Sequence, residues 1–248
     1  MSKLVFYTCF NARRSQREKF MSEVRRGRPH PVETDAWTEH RANLWKTFTL
    51  PSILRQSHDD FIYVVFLDPK LREKTDRYLP KVDDPRVVFS FDGKAVLEAI
   101  AEHGEIVAVR IDSDDMYARD AGAIFMACPD PWMYFRHGYI YHAARNDLLH
   151  YDTLGTGPFH AHRLTVDDFT LPEDRDLTFK EIYRTIAPGH SRVVDHHPTQ
   201  LANGQFCVQL HRQNTSSSMQ MRNVGRAIRN PNLLPDAFGY TPSIRKAR

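Results

Sequence analysis

The sequence predicts an α/β protein whose first half is a parallel sheet and whose second half is a mixed one. Three observations predict it. Short apolar runs alternate with helical stretches over roughly the first 115 residues, the pattern of βαβ units. After that point the runs follow one another more closely, as antiparallel strands do. Between the halves, the apolar run Glu105–Ile111 stops at Asp112, Asp114 and Asp115. Ligands of open α/β sheets bind at the carboxyl ends of strands, so these acids mark where a site should lie.

The elements follow in order. Leu4–Cys9 reads as a short buried strand. Thr34 or Asp35 can cap a helix that carries Trp37, Arg41, Leu44, Trp45 and Phe48 along one face. Pro51 is expected to interrupt it and to start a second short helix ending at Gln56. Phe61–Leu67 and Arg86–Phe91 are strands, and Lys94–Glu102 is a helix with Val96, Leu97 and Ile100 inward. Glu105–Ile111 completes the parallel set. In the second half, Trp132–His142 and Asp147–Tyr151 read as antiparallel strands, with Arg136–Gly138 or Ala144–Asp147 as the turn. Thr178–Ile186 is a predicted helix, Gln205–His211 a strand and Met219–Ile228 a basic amphipathic helix. The tail from Pro231 holds three prolines and should be irregular. With no repeat, low-complexity segment or linker, residues 1–248 form one domain. Its ligand-binding half runs to about residue 115, and its second half over 116–230.

Bulk properties narrow the function. The formal net charge of +3 gives no support to a nucleic-acid partner. Cys9, Cys128 and Cys207 form no Cys-x-x-Cys pair and read as small buried hydrophobes in a reducing compartment. The apolar run Phe61–Leu67 is too short to span a bilayer, and the N-terminus lacks the apolar core of a secretion signal. A cytoplasmic protein is expected. Arg222, Arg226 and Arg229, with Arg245, Lys246 and Arg248, could graze the inner membrane face peripherally, although a solvated basic face is the simpler reading.

Asp-x-Asp at a strand end can offer two carboxylates to one hard divalent cation. Mg²⁺ or Mn²⁺ takes one or two such ligands plus substrate phosphates, and so neutralises a departing pyrophosphate. The competing reading is a helix cap with the remaining acids in solvent.

Eight segments belong together: Phe6–Asn11, Trp37-Thr-Glu-His-Arg41, Phe48–Ser52, Gln56–Phe61, Val64–Asp68, Arg110-Ile-Asp-Ser-Asp-Asp115, His190-Ser191 and Phe206–Asn214. In combination they resemble the rhamnosyltransferase family of GT-A-type glycosyltransferases. The likeness covers about residues 4–217, is strongest in the first half, and departs from the family at Phe206, where Trp is expected. It implies a GT-A-like domain, Rossmann-like and mostly parallel in its nucleotide-binding half, with an acceptor half of mixed sheet. It implies a sugar, rhamnose by the family label, moved from a nucleotide-diphosphate donor to a hydroxyl of a saccharide or glycoconjugate. Mn²⁺ or Mg²⁺ is the implied cofactor. Asp114, with Asp112, would bind the metal, Asp112 would also face the ribose or a metal-bound water, and His211 would complete the shell. Asp115 and Arg110 would belong to the donor site. Asn11 and Asp68 would lie near base or ribose, Arg41 near the diphosphate, and Asn214 and Ser216 beside it.

An inverting transfer also needs a base to take the acceptor proton. Asp195 and His190 are the candidates, with Asp167 and Asp168 as more distant ones. Three other classes compete. A nucleotidyl- or phosphotransferase would also pair acids, but the chain has no Gly-rich phosphate loop. A zinc hydrolase could draw on His160, His162, His196 and His197, without a His-Glu-x-x-His motif to support it. A carbohydrate-binding module could use Trp132, Tyr134, Phe135, Tyr139 and Tyr141, although alternating aromatics are commonly sheet core.

Overall fold

Four parallel strands frame the acidic segment. β1 (Lys3–Cys9), β2 (Phe61–Phe66), β3 (Val87–Ser90) and β4 (Glu105–Arg110) lie in the order β3-β2-β1-β4. The computed structural model describes residues 2–11, 34–153, 159–169, 177–188, 190–211 and 224–242, with backbone alone at 190–192. Beyond β4 the sheet continues through β9 (His160–Thr165) and β6 (Trp132–Tyr134), each antiparallel to its predecessor, to β10 (Thr199–Gln200). A second, mixed sheet has the order β12-β8-β7-β11-β5, built from Val224–Ala227, Asp147–Asp152, His137–His142, Phe206–Leu210 and Met116–Tyr117. The chain is thus α/β, with a parallel first half and a mixed second half.

Both faces of the first sheet are covered, which is why its strands read as continuous apolar runs. Leu4, Phe6, Tyr63, Val65, Val107 and Val109 face Trp45 and Ile53. Val5, Tyr7, Val64, Phe66, Ile106 and Ala108 face Val96, Ile100, Ile182 and Ile186. Each fully buried Val, Ile or Phe contributes about 1.5–3 kcal/mol. The covering helices are α1 (Asp35–Leu44), α2 (Leu50–Leu54), α3 (Arg72–Tyr78), α4 (Lys94–His103), α5 (Ala121–Ala127), α6 (Phe179–Ile186) and α7 (His190–Asp195). Thr34 caps α1, and a reciprocal Thr178–Glu181 box caps α6.

Four local expectations need correction. Pro51 does not interrupt the first helix: α1 runs through a widened π turn, Trp45–Thr49, directly into α2, with Pro51 in the first turn of α2. The wider turn is where the missing N–H and bulky ring of a proline are tolerated. Residues 224–227 form strand β12 rather than a helix, paired antiparallel with β8, because an edge of the second sheet is there to satisfy them. Residues 219–223 lie outside the described residues. The start of the tail is not irregular: Leu234–Phe238 makes a π-helical turn that buries Leu234 and Phe238. Finally, β6 and β7 are not one strand. The chain changes sheets at Arg136, and the hairpin turn is the later one, where Asn146 takes φ 55°. Among the described residues, no helix is long and apolar enough to cross a membrane.

Candidate functional site

β4 ends at Arg110, and the chain turns through Asp112–Asp115 before β5 begins at Met116. The Asp115 N–H closes the turn onto the Asp112 carbonyl at 3.2 Å. The three acids then take three directions. Asp112, partly exposed, accepts from Arg110 Nη2 at 3.1 Å and Nε at 3.3 Å. Asp115 is buried and accepts from the Gln209 N–H of β11 at 3.3 Å. Asp114 is held from two sides, by α1 and by the residue after β11.

From α1, Arg41 donates to Asp114 Oδ2 at 2.7 Å, to Asp114 Oδ1 at 3.0 Å and to Ser113 Oγ at 2.6 Å. From the end of β11, His211 Nε2 lies 3.0 Å from Asp114 Oδ2. Behind it, His40 Nε2 lies 3.2 Å from His211 Nδ1. The Arg41, Asp114 and His211 side chains are only 14%, 11% and 7% exposed. Burial by itself would raise the Asp114 carboxyl, but Arg41 and then His211 outweigh it and hold it well below the usual carboxylate range. Asp115 goes the other way: burial, then the charges of Asp114 and Asp112, push its carboxyl well up. Burial, then His211 and Arg41, lower His40. Burial works against the Arg41 charge, but Asp114 prevails and keeps the guanidinium above its ordinary value.

The remaining predicted residues are placed as follows. Asn11 and Asp68 stand at the carboxyl ends of β1 and β2, the edge on which β4 also ends. Asn11 is buried, donating to Thr75 Oγ1 at 3.0 Å and accepting the Asp68 N–H at 2.8 Å. Asp68 caps the turn that follows β2, accepting the Lys70 N–H at 2.9 Å. Both therefore hold strand ends together. Asp195 is exposed at the end of α7, and Asp168 closes a capping box with Thr165. Asn214, Ser216 and the His190 side chain lie outside the described residues.

The histidines proposed for zinc are used differently. Trp132 stacks on His162 at 4.7 Å and on His196 at 4.1 Å, with ring planes within 11° and 3° of parallel. Burial pushes His162 down to about 4. Of the aromatic stretch, Phe135 and Tyr141 are buried in the cores.

Among the described residues no group of three or more His, Cys, Asp or Glu side chains gathers as a metal cage. Asp114 and His211 do form a carboxylate–imidazole pair in direct contact. That donor set fits a hard or borderline cation whose other ligands come from substrate phosphates. Arg41 Nε is a buried donor with no partner among the described residues, next to that pair. Sequence reasoning missed His40 and Ser113. His40 sits in the Trp-x-x-x-Arg segment beside Arg41, and Ser113 was the spacer of Asp-x-Asp. Compared with known proteins, the chain matches no family model and no curated sequence.

Proposed function

We propose that the chain is a metal-dependent, GT-A-like glycosyltransferase. It moves a sugar, rhamnose by the family resemblance, from a nucleotide-diphosphate donor to a hydroxyl of a saccharide or glycoconjugate. One observation carries the reading. Arg41 and His211 come from opposite ends of the sequence and converge on Asp114, the second acid of Asp-x-Asp, at the carboxyl end of a parallel strand. That edge of an open sheet is where nucleotides bind.

The residues divide the work. Asp114 and His211 would hold Mn²⁺ or Mg²⁺, which when bound supplies positive charge for a leaving diphosphate. Arg41 holds Asp114 ionised and in one orientation, and its buried Nε can donate to an anionic oxygen. Arg110 fixes Asp112 at the rim, where a partly exposed carboxylate can accept from ribose hydroxyls. Asn11 and Asp68 tie β1 to β2 beside it.

Thermal unfolding with Mn²⁺ and UDP or dTDP tests the reading. Ligand at 100 times its Kd stabilises by about 2.7 kcal/mol, or about 5–10 °C for a chain of this size. Wild type should show that shift, and Asp114→Asn should not. No shift with any nucleoside diphosphate overturns the proposal.

A further inference from the structure

A buried polar chain runs from the π turn to the residue that precedes the acidic turn. Trp45 Nε1 donates to the Tyr63 hydroxyl at 2.7 Å, and that hydroxyl lies 2.7 Å from Thr8 Oγ1. Thr8 Oγ1 in turn donates to the Ile111 carbonyl at 3.0 Å. The three side chains come from the π turn, β2 and β1, and all are fully buried. Ile111 stands between β4 and Asp112, and its own N–H is held by the Tyr7 carbonyl of β1 at 3.0 Å.

The two ends of the chain fix its direction. An indole N–H only donates and a carbonyl only accepts. Tyr63 therefore accepts from Trp45 and gives its own proton to Thr8, which gives its proton to Ile111. No other arrangement makes all three bonds. Burial pushes the Tyr63 hydroxyl up, so it keeps the proton that this requires. Losing either hydroxyl leaves buried polar groups unsatisfied on both sides of the gap. The chain ends on a backbone group, and that carbonyl belongs to the planar peptide joining Ile111 to Asp112. The next carbonyl, that of Asp112, is held by the Thr49 hydroxyl at 3.4 Å and by the Asp115 N–H at 3.2 Å.

We infer that Trp45, Tyr63 and Thr8 are positioning residues for the acidic turn. By holding the Ile111 carbonyl they set the plane of the peptide that leads into Asp112, and with it the direction in which Asp112 and Asp114 are presented. The consequence for ligand binding rests on the proposed reading of those acids as donor-site residues. Position 8 needs a hydroxyl that both accepts and donates, which serine supplies and valine does not. Position 63 needs the phenol oxygen, which phenylalanine lacks.

The test pairs hydrogen exchange of the Asp115 N–H, which closes the turn, with calorimetric titration of UDP in the presence of Mn²⁺. Thr8→Val and Tyr63→Phe should each speed Asp115 exchange and weaken UDP binding about tenfold, the worth of one hydrogen bond. Thr8→Ser should stay near wild type in both. Thr178→Ala removes the cap of α6 on the other face of the sheet, so it lowers stability but should move neither readout. In wild-type NMR spectra the Thr8 and Tyr63 hydroxyl protons should exchange slowly with water and give resolved resonances. Unchanged Asp115 exchange or UDP affinity in Thr8→Val and Tyr63→Phe, equal losses in Thr8→Ser, or an equal rise in exchange in Thr178→Ala would overturn the inference. So would hydroxyl protons that exchange freely in wild type. Absence of UDP binding in wild type would instead overturn the donor-site reading, and Asp115 exchange would still decide whether the chain holds the turn. The wild-type spectra need no substitution, so a variant that fails to fold leaves the inference open to refutation.

Discussion

Arg41 grips both carboxylate oxygens of Asp114, at 2.7 and 3.0 Å, across 73 residues of sequence. Little of either side chain is exposed. This planar clamp fixes the orientation of the carboxylate as well as its charge. Removing one partner of such a buried pair strands the other, at a cost of about 3–5 kcal/mol. Arg41→Ala should therefore lower the urea midpoint markedly. Arg41→Lys should recover only part of the loss, because an ammonium cannot form the fork. Equal stability of Arg41→Lys and wild type would show that charge alone matters here.

Asp114 and Asp115 are neighbours with opposite pH behaviour. The folded Asp114 carboxyl is lowered, so its contribution to stability is present above the unfolded pKa of about 3.9 and is lost as pH falls through the folded value. The folded Asp115 carboxyl is raised, so the native state holds its proton where the unfolded chain does not, and this acid costs stability above about pH 4. Asp115→Asn keeps the acceptor for Gln209 and should be more stable than wild type at pH 7, with the advantage shrinking toward pH 4. Asp114→Asn should be less stable than wild type at pH 7, with the gap closing at low pH. Urea titrations at several pH values measure both.

His162 gives a separate acid sensitivity. Its folded pKa near 4 is below the unfolded value, so the unfolded chain binds more protons between about pH 6.5 and 4. Stability is lost as pH falls through that window, by up to about 3 kcal/mol. His162→Phe keeps a flat ring against Trp132 and should abolish this part of the pH dependence. If the two proteins have parallel stability profiles from pH 7 to pH 4.5, His162 is not the source.

Gly138 marks a close approach between strands. A Cβ there would meet the Phe206 carbonyl oxygen at 2.6 Å and the Phe206 ring at 2.7 Å, where β7 pairs with β11. The Phe206 ring also stacks on Phe159 at 3.8 Å. Gly138→Ala must push β7 from β11, at a cost of about 1–3 kcal/mol, and should lower the melting temperature by several degrees. An unchanged melting temperature would mean that the sheet gives way freely at this point.

The parallel half was legible because burial on both faces leaves an unbroken apolar signal, as in Val64–Phe66 and Val107–Val109. The acids were legible because three charges after such a run need an explanation. Their partners were less so. His211 and Arg41 entered through family resemblance, while His40 carried no periodic or compositional signal, since only folding brings it to His211. The helix expected over residues 219–228 gave way to strand at 224–227, because a polar stretch around Arg226 looks alike on a helix and on the exposed residues of an edge strand such as β12. The π turn was hidden because Trp45 and Phe48 are buried in either helix geometry, so the apolar pattern does not record the change of phase.

That turn has a mechanical consequence. The helical run Asp35–Leu54 touches the acidic segment along its length: Arg41 holds Ser113 and Asp114, Thr49 Oγ1 donates to the Asp112 carbonyl at 3.4 Å, and Ser52 Oγ accepts the Tyr117 N–H at 3.3 Å. A regular helix turns about 100° per residue, so deleting one residue from the turn would swing Thr49 and Ser52 away while leaving Arg41 in place. The extra residue acts as a vernier, setting the phase of one rod against a loop of different pitch. Arg41, Thr49 and Ser52 thus tie the helical run to this part of the chain at three points, so the phase of the run bears directly on how Asp114 is held.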